Sequence, residues 1–490
     1  MHAKHIHRWC LLTLGVAILV ALGGLVAHVV FELSGVLHGD AMIFQTVGRG
    51  ILNGIKPYSG LFETKPPGIF LMHAASLWIF DSQFLVKLLQ VLALLIIPVL
   101  VVIPSVNAAA GRPSKDRQII TLVSVLLGLV LALYTANQAG QGLVEGYGTA
   151  TALLYLLLLD KKWKQWVRLS VLGILMLITV GLKEPFVLVL LSCVFIMRKN
   201  VLQAFVYPLL IAIVCGLIAL LVLGYVEPFF GVYLPHMFGF HVHQHDVSLP
   251  LRALEVWRVF MNMGAYSWWL AIGITGLLCA PFFDKQQRSR ASVLRYIFAL
   301  YLMMCAIAAG GDFYGHHFIF AVPCYVALYW WLLRSNVFAV RSVCIFGALL
   351  CVTAFASTRF IHDYAGWRTM ESEYIAVSSA IDTVMDNCGY DQYLQMIVRG
   401  GGPYTYTKHS PYGPIFVHYS RFIGGSQMYQ TEHIRALQET PLVFILDIEN
   451  SNLTEMAQEF MGVVFTEDAP ACAGEDFVQP SPYHLLFREE

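Results

Sequence analysis

Residues 9–31, WCLLTLGVAILVALGGLVAHVVF, decide the fold. The run has no charged side chain and is long enough to cross about 30 Å of hydrocarbon as a helix. With Lys4 and Arg8 ahead of it, it superficially resembles a secretory signal. It is longer than a typical signal core and no small-x-small cleavage site clearly ends it, so it reads as a retained first span. Runs of the same kind recur at 84–104, 118–135, 143–159, 167–182, 185–197, 203–224, 266–283, 293–310, 315–333 and 338–357. The 490 residues are 58% apolar or aromatic and 13% charged, where a soluble domain carries about 25% charged residues. Net charge is zero, so no basic field exists to recruit nucleic acid. No Gly-rich loop joins a strand to a helix in the manner of a soluble nucleotide-binding fold.

One further apolar run, 68–80, decides the topology. As a helix it is about 20 Å long, too short to span comfortably. If it stays on one side, alternate loops collect Arg112, Lys115 and Arg117; Lys161, Lys162, Lys164 and Arg168; Arg198 and Lys199; Lys285, Arg288, Arg290 and Arg295; Arg334 and Arg341. The opposite loops carry chiefly Arg49, Lys56, Lys65, Lys183, Arg252 and Arg258. The positive-inside rule therefore predicts an interfacial helix and eleven spans, with the N-terminus inside and the C-terminus outside.

From Thr358 onward the spans vanish. Leu442–Ile448 reads as a buried strand, and Gly462–Thr466 and Leu485–Phe487 as further strands. Asn452 and Glu455 have the spacing of a capping box opening a helix to Phe460. The expected architecture is thus a membrane all-α domain over 1–357, about eleven transmembrane helices with interfacial helices in the first outer loop, and a small extracytoplasmic α/β domain over 358–490. Eight of the ten cysteines lie in apolar runs, where Cys behaves as a small hydrophobe. Cys388 and Cys472 alone fall in the polar tail. In an oxidising compartment they are candidates for one disulfide; two unpaired thiols is the other reading.

The most chemical segment is 32–67. Asp40 stands where a helix over 41–52 begins, which makes it an N-cap, a catalytic carboxylate, or both. Downstream come Lys56-Pro57-Tyr58 and Phe62-Glu63-Thr64-Lys65-Pro66-Pro67-Gly68. The paired prolines exclude helix before Pro67 and hold Lys65 in an extended segment at the mouth of the next helix. A loop that merely joined two spans would need neither the carboxylate nor the cation.

The Asp placed shortly after the first span, the Pro-Tyr step and the Phe-Glu-x-Lys-Pro-Pro-Gly stretch resemble the GT-C superfamily of polyprenyl-phosphate-sugar-dependent glycosyltransferases. The branch they look most like contains the dolichyl-phosphate-mannose protein mannosyltransferases and the bacterial lipid A aminoarabinose transferase. The resemblance spans roughly 1–357. It implies that Asp40 is the general base on an acceptor hydroxyl at the outer face of the membrane. The chemistry agrees, since a lipid-phosphate sugar brings its own leaving group and leaves the enzyme to deprotonate a nucleophile and hold a departing phosphate. The expected partners are a polyprenyl-phosphate-linked sugar, an acceptor glycan, lipid or protein, and membrane lipid. The β-trefoil insert of eukaryotic protein mannosyltransferases has no room here, which points to a bacterial plasma-membrane enzyme.

Lys65 is the first candidate for the phosphate, with Glu63 as its orienting partner or a substrate contact and Tyr58 beside it. Lys183, in Gly181-Leu182-Lys183-Glu184-Pro185, is the second, at a place where the family often has Lys-x-Pro; a lysine among apolar helices needs an anionic partner, for which Glu184 is the simplest choice. Glu145, at the outer start of its span, matches an acidic position of the family or caps its helix. His316 and His317 close the polar cluster 310–317 and are candidates for contacting phosphate. The preceding outer loop reads as a flexible acceptor-gating loop; a zinc site using His236, His241, His243, His245 and Asp246 is the alternative, without HExxH or Cys partners. Some relatives use a divalent cation, so Mg²⁺ or Mn²⁺ is a candidate cofactor with no legible ligand set. The Gly-, Tyr- and Pro-rich stretches 399–406 and 410–414 suit a sugar-contacting loop or an ordinary turn-rich connection. The rival function is a secondary transporter or flippase of a lipid-linked substrate, but the halves show no evident correspondence and the charges cluster on one side.

Overall fold

The computed structural model describes residues 2–35, 37, 39–241, 247–262, 265–283, 290–309, 313, 315–334, 340–356, 364–396, 405–413, 427–445, 465–474, 477–480 and 484–488. In chain order the first helices are α1 (His2–Ser34), α2 (Gly39–Leu52), α3 (Pro67–Phe80), α4 (Phe84–Ala109), α5 (Ser114–Ala139), α6 (Val144–Leu158), α7 (Gln165–Leu182), α8 (Phe186–Ile196) and α9 (Tyr207–Leu223). Helices Ala265–Phe283, Arg290–Ala309, Ala321–Arg334 and Val340–Ala356 follow. Every run read as a span is helical. Seven helices among the described residues are long and apolar enough to cross a membrane, and five apolar helices are shorter. Apart from Pro67–Phe80, these helices fall on the eleven runs read as spans. Two of the shorter helices, α6 and α8, start beside buried polar groups: α6 has Glu145 in its first turn, and α8 begins after Lys183-Glu184-Pro185. Polar side chains there occupy length that apolar residues would otherwise fill. The chain is an integral membrane protein of helices, completed by a small C-terminal sheet.

Chain contacts divide the molecule into two compact units. The first comprises 1–34, 87–219 and 246–362. Within it α1 packs along α5, α6 along α7, and α8 against Arg290–Ala309 and Ala321–Arg334. Leu19 and Val214 face outward with 69% and 55% exposure, as lipid-facing side chains should. Inside, hydroxyls of buried tyrosines reach backbone carbonyls: Tyr155 Oη donates to Ala204 O at 2.6 Å and Tyr325 Oη to Leu270 O at 3.2 Å. Small residues set the closest approaches, since a Cβ at Gly128 would lie 2.7 Å from Pro98 Cα. At one end Asp160 pairs with both Lys199 and Arg334, and Arg112 donates to Leu333 O at 2.8 Å. Residues from four of the loops grouped together by charge therefore meet, as the parity of the spans requires.

The second unit comprises 35–86, 220–245 and 363–490. The first loop thus groups with the tail, where the sequence placed a boundary at 357/358 between them. α2 and α3 pack so closely that a Cβ at Gly48 would sit 2.8 Å from Ala74 N. Arg49 of α2 donates to Thr405 O at 2.9 Å and to Thr407 O, and Asn53 donates to Ser410 Oγ at 3.3 Å. These strap the loop to the tail. The sheet has the order β2-β1-β3-β5-β4, with β1 (Gln392–Met396), β2 (Ser410–Pro411), β3 (Leu442–Ile445), β4 (Phe465–Thr466) and β5 (His484–Arg488). β1 lies parallel to β2 and β3, and β5 runs antiparallel to β3 and β4. Leu394, Ala436, Leu437, Val443, Phe465 and Leu486 form its core. β3, β4 and β5 fall on the three segments read as strands; the helix read after Asn452 lies outside the described residues.

Cys388, the last residue of helix Tyr364–Cys388, is disulfide-bonded to Cys472 across a sequence separation of 84. A loop of that size contributes about 4–5 kcal/mol in the chain-entropy model. Cys388→Ser is therefore expected to destabilise the tail by up to about that amount. Thermal unfolding with and without reductant checks it: reductant should lower the transition of the parent protein and leave the variant unchanged.

Candidate functional site

Asp40 sits in the first turn of α2, one residue inside the helix start at Gly39, and is half-buried. An acidic group in a first turn complements the exposed N–H groups of the helix. Phe44 lies one turn further on the same face, by the i, i+4 spacing. The Lys65 ammonium stands 5.9 Å from the centroid of the Phe44 ring. Lys65 is thereby docked on α2 at Phe44, one helical turn along the chain from Asp40.

Several constraints fix Lys65. Pro66 and Pro67 start α3 with extended backbone at Pro66 (φ −61°, ψ 157°), as the paired prolines dictate. Lys65 Nζ donates to Glu63 Oε1 at 3.3 Å, and Thr64 Oγ1 donates to the same oxygen at 3.1 Å. Glu63 is buried while Lys65 keeps 19% of its side chain exposed, so the pair presents its cation outward. Tyr58 Oη donates to Lys65 O at 2.8 Å. Tyr58 has φ +71°, a left-handed conformation costing an aromatic residue about 1–3 kcal/mol. A tight turn closed by Tyr58 N to Leu61 O at 2.8 Å and Gly60 N to Lys56 O at 2.9 Å holds it there. Its ring is buried against Tyr233 at 4.6 Å and Phe70 at 6.1 Å. Tyr58, read as a substrate-binding candidate, has the geometry of a positioning residue for Lys65.

A second polar cluster belongs to the other unit. Lys183, the residue after α7, forms a buried ion pair with Glu145 in the first turn of α6. The expected partner was the neighbouring Glu184; instead the chain supplies a carboxylate 38 residues upstream by pairing α6 with α7. The ammonium also lies 5.6 Å from the Phe320 ring centroid, a cation–π distance. His316 and His317 sit on the 3-10 turn Gly315–Phe320, which packs on α6. His316 Nε2 is 3.8 Å from Glu145 Oε1. The structure thus brings together Glu145, Lys183, His316 and His317, four residues picked separately from the sequence.

Of the alternative zinc set, only the His236 side chain lies among the described residues. His236 packs its ring on Phe62 at 4.7 Å, and burial lowers its pKa to about 4. His243, His245 and Asp246 lie outside the described residues, as do Gly310, Gly311, Asp312 and Tyr314. Sequence reasoning missed Phe44 and Tyr233. The i, i+4 spacing from Asp40 was a usable signal for Phe44; nothing local pointed to Tyr233.

No family model matches the sequence, and no curated protein matches it. Among solved structures the chain is similar to ArnT from Cupriavidus metallidurans bound to undecaprenyl phosphate, with a TM-score of 0.51 and 10% identity over 98% of both chains. The apo state of that protein aligns with a TM-score of 0.43 and 12% identity over 99% of this chain and 98% of that one. The first comparison shows that the chain has the ArnT fold, the architecture implied by the resemblance in its first loop.

His73 of α3 offers a test of the α2–α3 pairing that positions Asp40 and Lys65. It is fully buried at the tight crossing with Gly48, neither ring nitrogen has a hydrogen-bond partner among the described residues, and desolvation lowers its pKa from 6.5 to about 3. The unfolded chain then binds the extra proton between those values. Stability is complete above pH 6.5 and falls by up to about 1.4 kcal/mol per pH unit as the pH drops toward 3. His73→Leu should flatten this acid limb in melting curves recorded from pH 7.5 to 4.5.

Proposed function

We propose that this protein is an integral membrane glycosyltransferase that moves a sugar from a polyprenyl-phosphate donor to an acceptor hydroxyl on a glycan, lipid or protein. The observation that carries the reading is the Lys65 ammonium held over Phe44, one turn from Asp40 on α2. A carboxylate on α2 and a fixed cation docked on the same helix are what this reaction asks for. The Asp40 carboxylate takes the acceptor proton as the oxygen attacks the anomeric carbon. The bond from that carbon to the phosphate oxygen breaks, and its electrons leave with the polyprenyl phosphate. Lys65, oriented by Glu63 and backed by Tyr58, meets the charge that develops there. Within the first unit, Lys183, His316, His317 and Glu145 are separately proposed as phosphate- or substrate-binding residues by their own chemistry. The likeness to ArnT, whose structure holds undecaprenyl phosphate, supports a lipid-phosphate donor and supports transfer over transport.

We further infer a bacterial plasma-membrane location with Asp40 and the C-terminal domain outside. The Cys388–Cys472 disulfide supports this, because such bonds persist in oxidising compartments. A cysteine introduced at Ser82, which follows α3, is expected to react with an impermeant thiol reagent added to intact cells. Labelling only after the cells are opened would overturn the orientation.

The chemical test is turnover. Purified protein given a panel of polyprenyl-phosphate sugars with acceptor is expected to release polyprenyl phosphate. Asp40→Asn should reduce that release by about 10²–10⁴ or more while leaving the melting temperature unchanged. Lys65→Met should also slow it. Full turnover by Asp40→Asn would remove the assigned base.

A further inference from the structure

The cluster around Glu145 holds more donor atoms than an ion pair uses. Glu145 and His317 are buried, His316 keeps 17% of its side chain exposed, and one ligand atom from each lies within 4.8 Å of the others. Glu145 Oε2 has no hydrogen-bond partner among the described residues, although the residue is 1% exposed. A buried carboxylate oxygen left without a donor is costly, so a further cation or donor at that point would stabilise the fold. Two imidazoles and one carboxylate make a ligand set that zinc accepts, with a fourth position left over. Tetrahedral bonds of about 2.0–2.2 Å need ligand atoms about 3.4 Å apart. Metal binding requires the Glu145 and His316 side chains to rotate inward to supply that contraction.

We propose that Glu145, His316 and His317 form a divalent transition-metal site, with Lys183 as the competing cation for Glu145. The charge balance makes the site conditional. Glu145 and Lys183 together are neutral, so a dication adds two positive charges in a low-dielectric setting. A phosphate dianion at the open metal position, reached also by the Lys183 ammonium, restores neutrality. Metal and phosphate should consequently bind with positive coupling, and each raises the other's affinity by the same factor. The site shares residues with the proposed phosphate- or substrate-binding set. Metal binding is nevertheless measured with no sugar donor, no acceptor and no turnover, so failure of either reading is visible separately.

The experiment uses full-length protein in detergent, stripped with chelator, with Zn²⁺ titrated by calorimetry and Co²⁺ absorption as a second probe of coordination. One equivalent should bind. His316→Ala, at the partly exposed position least able to disturb folding, should weaken it at least about tenfold, and His317→Ala or Glu145→Gln should abolish it. Lys183→Met should tighten Zn²⁺ binding at least about tenfold, because it removes the competitor for the carboxylate. A lysine that merely supported folding would give no such gain. Inorganic phosphate should tighten binding in the parent protein. If polyprenyl phosphate does so and inorganic phosphate does not, the anion is a lipid head group; if neither does, the charge-balance argument fails. Zn²⁺ binding that is absent, unaffected by His316→Ala in folded protein, or not improved by Lys183→Met would overturn the assignment.

Discussion

A bilayer interior offers no hydrogen-bond partner to a bare peptide group, and this constraint governs the architecture. Within the first unit every long apolar run becomes a helix, and polar side chains between helices bond to backbone or to one another. Tyr155 and Tyr325 reach carbonyls of neighbouring helices, and Ser192 Oγ donates to Ala299 O at 2.8 Å. Charges follow the same logic more sharply. Asp160 neutralises Lys199 and Arg334 at one end, and Glu145 neutralises Lys183 among apolar surroundings. Glu32, near the end of α1, accepts from Gln141 N at 2.7 Å and so satisfies an amide in the turn that joins α5 to α6. Gln141 has φ +57°, a conformation that needs support of this kind.

The second unit faces a different problem: holding a short, irregular loop in one conformation without a span to anchor each residue. Its solution is to surround the loop with rigid elements. Pro66 and Pro67 fix the entry to α3, and Gly48 admits α3 against α2. Tyr58 accepts a strained backbone because Tyr233, Phe229 and Phe70 hold its ring. Arg49 and Asn53 carry the constraint to the tail through Thr405, Thr407 and Ser410. Tyr393 extends it inward, its hydroxyl 3.0 Å from Thr407 Oγ1. The tail is thereby part of the scaffold of the first loop.

How much of this the sequence carried depends on the range of the interaction. The positions of the helices were legible because each is written locally in twenty or so apolar residues. The parity of the loops was legible because Lys and Arg report it one loop at a time. The start of α3 was legible from two prolines. Helix lengths were less so: α8 and α3 have similar apolar content, and hydropathy alone does not separate a span from an interfacial helix. The sequence offers Glu184 as a local partner for Lys183, whereas Glu145 becomes a neighbour only once α6 packs on α7. The grouping of 35–86 with 363–490 was invisible for the same reason, since the Arg49 contacts span more than 350 residues.

The two polar clusters also differ in what burial does to them. Lys65 keeps part of its side chain in contact with solvent, so its pairing with Glu63 is shallow and the ammonium can exchange partners at modest cost. Lys183 and Glu145 have lost nearly all their water, and breaking that pair without a replacement leaves a buried charge uncompensated, a cost of about 3–5 kcal/mol. An anion meeting Lys65 therefore needs only to displace water and loosen one contact. Anything that acts on the Glu145–Lys183 pair must bring its own compensating charge with it. A cation beside Glu145 joined by an anion beside Lys183 meets that condition, whereas either one alone does not.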